Sequence, residues 1–170
     1  MTPIQQLDAE ALYLELARQI KAFVGNVENV AMVGIYSGGA WLAERLAVDC
    51  NIKNPVGFID VSFYRDDYAQ KGLPAEVKST HIPFSVDDAN IILVDDVLFT
   101  GRTTRAAINE LFDYGRPAKI MLASLVDRGG RQLPYAADFV AQTLTLPLNL
   151  SLNLERESDS KLVLSLVENV

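Results

Sequence analysis

Four consecutive aliphatic residues, Ile91-Ile92-Leu93-Val94, run into two carboxylates, Asp95-Asp96, and then into Thr100-Gly101-Arg102-Thr103-Thr104. An unbroken apolar run suits a strand buried on both faces of a parallel sheet, which calls for helices on both sides. In open α/β sheets ligands sit at the carboxyl ends of the strands, where this acid pair falls. A helix opening near Thr103 points free backbone amides and its positive dipole end at an anion, and Gly101 lets the backbone approach closely. A phosphate collects those N–H bonds together with the hydroxyls of Thr100, Thr103 and Thr104, while the carboxylates accept hydrogen bonds from neighbouring sugar hydroxyls. Each piece alone has a plainer reading, a solvated acidic turn or a helix N-cap. Together they describe one pocket, and the ligand implied is a ribose 5-phosphate.

The rest of the chain alternates in the same way. Asp8 caps a helix to about Val24, with Leu12, Leu16, Ile20 and Phe23 at helical spacing. Val30–Ile35 reads as a buried strand, broken by Tyr36-Ser37-Gly38-Gly39 before a helix from Ala40 to about Val48. A strand follows over Val56–Phe63. Residues 64–88 are polar, with Gly72, Pro74 and Pro83 spaced through them, and are read as a β-hairpin hood over the site. Thr103–Tyr114 forms a helix stopped at Gly115, and Ala118–Val126 is the next buried strand. Phe139–Thr143, Asn149–Leu154 and Leu162–Val167 complete the strands, the last ones as a short antiparallel appendix. The expectation is α/β, an open parallel sheet with helices on both faces and right-handed crossovers, in a single domain over 1–170.

Bulk properties narrow the function classes. Cys50 and His81 are the only cysteine and histidine, which excludes an internal disulfide and a cysteine-rich zinc site. Cys50 is read as a core or helix-end residue and His81 as a hood surface residue. No apolar run reaches membrane-spanning length and the N-terminus has no signal pattern, so a cytoplasmic protein without membrane contact is expected. With 15 Lys plus Arg against 22 Asp plus Glu, the formal charge of −7 weighs against broad RNA contact, which draws much of its affinity from phosphate neutralisation.

The signature at residues 91–104 resembles the 5-phosphoribosyl-1-pyrophosphate (PRPP) motif of type I phosphoribosyltransferases. Tyr114-Gly115-Arg116-Pro117, Leu125-Val126-Asp127-Arg128-Gly129-Gly130-Arg131, Leu133-Pro134 and the upstream Phe63-Tyr64-Arg65-Asp66-Asp67 extend the likeness. They resemble the PyrR family of pyrimidine-operon attenuators with uracil phosphoribosyltransferase activity. The resemblance is dense from about Val56 to Asp138. It implies a type I phosphoribosyltransferase fold with a small β hood, and the reaction of uracil and PRPP to UMP and pyrophosphate. It also implies UMP-responsive regulation through pyrimidine-operon mRNA, and a homo-oligomer.

On this resemblance Asp95 and Asp96 fix the ribose and stabilise an oxocarbenium-like transition state. Val97, Leu98, Phe99, Thr100, Gly101, Arg102, Thr103 and Thr104 hold PRPP and its 5′-phosphate, with Phe99 as a pocket wall. Tyr36, Ser37 and Gly38 form the pyrophosphate loop. Val126 and Asp127 read the base through their backbone, Arg128 and Arg131 either meet pyrophosphate or nucleotide or are surface turn arginines pairing with Asp127 or Asp138, and Arg65 reaches down from the hood. Mg²⁺ arrives with PRPP, with Asp95 as a water-mediated contact. One departure stands out. Where the family shows Gly-Ile-Arg-Thr-Arg-Gly, this chain has Gly34-Ile35-Tyr36-Ser37-Gly38-Gly39, without either arginine. Each lost charge-assisted contact costs about 1.5–3 kcal/mol if nothing replaces it. Reduced activity follows, and the alternative is a nucleotide-binding regulator or accessory protein with weak catalysis and no RNA binding. Gly130 likewise stands where the family commonly carries histidine.

Overall fold

The computed structural model describes residues 3–61 and 79–169. The expected strand at Ile91–Val94 is the middle of β4 (Asn90–Leu98), which lies at the centre of a five-stranded sheet. Its companions are β2 (Val30–Ile35), β3 (Gly57–Ile59), β5 (Lys119–Asp127) and β6 (Phe139–Thr143), in the order β3-β2-β4-β5-β6 and all parallel. Among the described residues three helices connect or flank them: α1 (Ala9–Val24), α2 (Gly38–Asp49) and α3 (Arg102–Phe112). Asp8 caps α1 as expected, its carboxylate accepting from the Ala11 amide at 3.0 Å.

Alternation along the buried strands divides the core in two. Met32, Ile92, Val94, Met121, Ala123 and Leu125 point to the layer of α1 and α2, where they meet Leu16, Ile20, Leu42 and Leu46. Val33, Ile35, Ile91, Leu93 and Leu122 point the other way, onto Ala107 and Leu111 of α3. Helices on both sides explain why these strands read as unbroken apolar runs.

The appendix is larger than expected. β7 (Leu150–Arg156) and β8 (Leu162–Glu168) form an antiparallel sheet with β1 (Pro3–Leu7), which pairs with β8. The N-terminal strand has no sequence signal of its own, because the partner supplying its hydrogen bonds lies at the other end of the chain. Leu154, Leu162 and Leu164 join this sheet to the α1–α2 core.

Other boundaries differ in detail. The strand expected over Val56–Phe63 is only Gly57–Ile59 among the described residues. Of the hood expected over 64–88, residues 64–78, including Arg65, lie outside the described residues. His81 is exposed and forms a single antiparallel bridge with Phe58, while Val86 enters the core on the α3 side. Phe112 and Tyr114 are 54% and 47% exposed. Cys50 is buried at the end of α2, and burial pushes its thiol up from the ordinary value, as suits a packed residue.

Candidate active site

Strand order brings the site together. From β2 the chain runs outward to β3, and it resumes on the other side of β2 with β4, β5 and β6. β2 and β4 therefore flank the topological switch point, where the loops leaving the two strands diverge and open a crevice. Gly34 sits opposite Val94, so two residues further on Tyr36 and Asp96 come level. Leu98 sits opposite Asp127, which sets the loop after β5 against the turn after β4.

Asp95 and Asp96 lie inside the last part of β4 rather than beyond it, and alternation starts them on opposite faces. Asp95, 6% exposed, shares the face of Ile91 and Leu93 beneath α3, while Asp96 shares the face of Ile92 and Val94 beneath α2. Each then folds forward. Asp95 Oδ1 accepts from the Asp96 amide at 2.9 Å, and Asp96 Oδ1 accepts from the Val97 amide at 2.8 Å. Both carboxylates thus reach toward the carboxyl end of the strand despite diverging at their Cβ atoms. Ser124, opposite Asp95, donates to the carbonyls of Asp96 (3.3 Å) and Val126 (2.8 Å) and ties β5 to the strand end.

The loop after β2 packs hard on this strand end. A Cβ on Gly39 would lie 2.3 Å from the Val94 carbonyl oxygen, and one on Gly38 would lie 2.6 Å from Asp96 Oδ2. Only hydrogen at Gly39 lets α2 begin here, whereas a Cβ at Gly38 would displace the Asp96 carboxylate. The Ser37 carbonyl accepts from the Ala40 and Trp41 amides, while its side chain makes no capping bond and stays available to a ligand. The Tyr36–Ser37 peptide is cis. The Tyr36 amide donates to the Ile59 carbonyl at 3.0 Å, and its ring stacks on Phe58 with centroids 5.5 Å apart. Burial, with Glu44 and Asp60 nearby, raises the Tyr36 phenol above its ordinary pKa, so this position carries no negative charge at neutral pH.

The turn after β4 is a cup of backbone. Gly101 adopts φ +94°, a left-handed conformation, and begins α3 without a side-chain cap. The first-turn amides of α3, which have no intrahelical acceptors, open toward the crevice. The Thr100 hydroxyl accepts from the Arg102 amide at 3.2 Å. Thr100 and Thr104 are buried in the floor, Thr103 is half-buried, and Arg102 is exposed with its Nε donating to Gln132 at 3.0 Å. Val97 and Phe99 are half-buried along the rim, whereas Leu98 turns into the α3-side core.

The loop after β5 is tied down by its own hydrogen bonds. Val126 is wholly buried and its carbonyl accepts from Ser124, while the Asp127 carbonyl accepts from the Leu144 amide at 2.8 Å. Asp127 Oδ1 accepts from the Gly129 amide at 2.9 Å and Oδ2 from Arg131 at 2.6 Å. Arg131 also donates to the carbonyls of Phe99 and Tyr135. Three of its five N–H groups are held inside the protein, so Arg131 braces the turn through the Asp127 pairing that its sequence also allowed. Arg128 lies not on the surface of the turn but buried against Phe99, and its neighbours in sequence give no sign of that burial.

The phosphoribosyl transferase domain family matches residues 4–160. A bifunctional protein PyrR of Ralstonia nicotianae is 51% identical over 157 residues, covering 91% of this chain and 90% of the relative. The chain belongs to the PyrR family. A bifunctional protein PyrR of Nitrosococcus oceani is 48% identical, covering 84% of this chain and 83% of its own. Among solved structures, a Trypanosoma cruzi hypoxanthine phosphoribosyl transferase superposes with TM-score 0.66 at 20% identity, covering 97% of this chain and 92% of that one. A hypoxanthine phosphoribosyltransferase from Staphylococcus aureus gives 0.66 at 18%, covering 87% and 80%. These likenesses show the type I phosphoribosyltransferase fold expected from the signature. For this PyrR-family chain the crevice between β2 and β4 is the candidate active site.

Proposed function

We propose that the chain transfers the phosphoribosyl group of PRPP to uracil, forming UMP and pyrophosphate, and that UMP occupancy of the same crevice serves regulation of pyrimidine genes. One observation carries the reading: an anion loop, a forward-folded acid pair and a helix-start phosphate cup meet at the single switch point of the sheet. The 5′-phosphate belongs in the Thr100–Thr104 cup, the ribose hydroxyls on Asp95 and Asp96, and the pyrophosphate on the Ser37-Gly38 amides and the Ser37 hydroxyl.

In the reaction the bond from ribose C1 to the pyrophosphate oxygen breaks, its electron pair leaving with pyrophosphate. C1 bonds to uracil N1, which gives up its proton to solvent. Positive charge gathers on the sugar meanwhile, and the two nearby carboxylates stabilise it electrostatically. The half-buried ring of Phe99 walls the base side. Asp95 and Asp96 are hard oxygen donors, and no larger cluster of metal-ligating side chains occurs among the described residues. That donor set fits Mg²⁺ carried in on substrate oxygens and water, with Asp95 as a water-mediated contact. When bound, the ion neutralises the leaving group as a Lewis acid.

Uracil as the base rests on family membership, and mRNA as the regulatory partner rests on it too. The net charge of −7 makes any RNA contact a local one. No helix among the described residues is long and apolar enough to cross a membrane, which fits a cytoplasmic site of action. The test is release of pyrophosphate from PRPP across uracil, orotate, hypoxanthine and guanine, alongside a salt-dependent mobility shift of leader RNA with and without UMP. Uracil-dependent release is expected. Release with no base, together with no UMP-induced rise in melting temperature, would refute the reading.

A further inference from the structure

Arg128 is 5% exposed, and no carboxylate forms an ion pair with it among the described residues. Its Nε has no hydrogen-bond partner. Burial alone lowers its pKa from the ordinary value, the mark of a charge without a counter-ion. A buried cation in that state is costly, and an apolar side chain of similar volume would ordinarily cost less. The contacts show what the guanidinium supplies instead. Its plane lies over the Phe99 ring with Cζ 4.0 Å from the centroid, while its edge donates to the carbonyls of Leu150 (2.8 Å) and Pro147 (3.3 Å). A planar fork can stack and hydrogen-bond at once, which neither lysine nor methionine can do.

Phe99 is the residue before Thr100, where the phosphate cup begins. Its ring is held from a second side by Gly130, at which a Cβ would fall 2.4 Å from Phe99 Cε1. The Arg128 amide also donates to the Leu98 carbonyl at 3.0 Å. A line of contact therefore runs from the head of β7 through the guanidinium to Phe99 and into the cup. Leu150 and Asn149 are themselves anchored, by the Leu150 amide donating to Pro147 and by the Asn169 amide donating to Asn149.

We propose that Arg128 is a positioning residue, which clamps Phe99 against the start of the antiparallel sheet and thereby sets the phosphate cup, without touching substrate. The proposal rests on the phosphoribosyl reading of that cup. It also gives the small sheet a part in substrate binding, although it stands outside the crevice.

The test measures equilibrium binding of ribose 5-phosphate and steady-state kinetics with PRPP for the wild type, Arg128→Met, Arg128→Lys, Phe99→Leu and the Arg128→Met/Phe99→Leu double variant. Arg128→Met is expected to weaken ribose 5-phosphate binding and raise KM for PRPP about tenfold, the size of one charge-assisted contact, with kcat within about twofold. Arg128→Lys should recover less than half of that loss. Phe99→Leu should reproduce it, and the double variant should be no worse than either single one, because both break the same line of contact. Equal binding by the wild type and Arg128→Met would overturn the clamp, as would additive losses in the double variant. A fall in kcat at constant KM would overturn it too, by placing the arginine on reacting atoms. If Arg128→Met does not fold, Phe99→Leu decides, and unchanged binding there sinks the proposal. Wild-type protein that bound neither ribose 5-phosphate nor PRPP would overturn the phosphoribosyl reading, and the clamp with it.

Discussion

Gly39→Ala puts one methyl group where α2 meets the end of β4, and the structure sets its cost. The added Cβ would fall 2.3 Å from the Val94 carbonyl oxygen and 3.0 Å from Asp95 Cα, where real Cβ contacts essentially never fall below 3.0 Å. Both neighbours are backbone of the central strand, so no side chain can turn aside and the helix start itself must lift. Overpacking of this kind costs typically about 1–3 kcal/mol, and an immovable neighbour argues for the upper end. Alanine offsets up to about 1 kcal/mol by its better helix propensity, and less in a first turn, which leaves a net loss of about 2 kcal/mol. Gly129→Ala is the control. Nothing lies within 4 Å of its would-be Cβ, and its φ of +72° alone imposes about 1–2 kcal/mol. Urea unfolding at constant m reads the two stabilities, and KM for PRPP reads the site. Gly39→Ala should raise KM because the Ser37-Gly38 loop moves with the helix, whereas Gly129→Ala should lose stability while keeping KM nearly unchanged. A Gly39→Ala variant as stable as wild type, with unaltered KM, would refute the account of how the loop is seated.

Three further outcomes are expected. Tyr36→Arg should lower KM for PRPP by about tenfold or more, one charge-assisted contact regained, whereas Gly38→Arg should impair the enzyme because its Cβ displaces the Asp96 carboxylate; equal gains from both in steady-state kinetics would contradict this. Arg131→Lys should lose about 1.5–3 kcal/mol in urea unfolding despite keeping its charge, since lysine cannot reach Asp127, Phe99 and Tyr135 together; a full rescue by lysine would count against the brace. The Arg45 guanidinium beside Glu10 holds that carboxyl below its usual value, helped by the Leu162 amide. Because the folded value is depressed, the contribution is present above the unfolded value near 4.5 and is lost as pH falls through the folded value. Melting temperature should therefore drop less steeply below about pH 4.5 in Glu10→Gln than in wild type, and parallel curves would remove Glu10 from the acid response.

How far the site was legible follows from where its information lies. The geometry of the proposed phosphate cup was legible because all its parts are local: a buried strand, a left-handed glycine and a helix start within residues 91–104. The acid pair was legible as a pair but not in its geometry. Strand alternation separates Asp95 from Asp96, and only their forward hydrogen bonds bring both to the strand end. Arg131 stayed open between a nucleotide contact and a pairing with Asp127, because a turn arginine looks the same in sequence whether its fork faces a ligand or an internal carboxylate. Arg128 was harder still, since its partners at Leu150 and Pro147 lie about twenty residues away, in a segment whose own pattern shows only a strand.

Unbroken apolar runs alternating with helical periodicity determined, without any structure, that this chain builds a parallel sheet covered on both faces, with a glycine turn and a helix start at one strand end. Those features follow from the spacing of side chains and the needs of a backbone that must bury its polar groups. Tertiary structure alone decided the strand order β3-β2-β4-β5-β6, the meeting of the Tyr36-Ser37-Gly38 loop with Asp96, and the closing of the N-terminal strand onto β8. Each of these depends on which distant surfaces bury the most apolar area together, and no local periodicity encodes that choice.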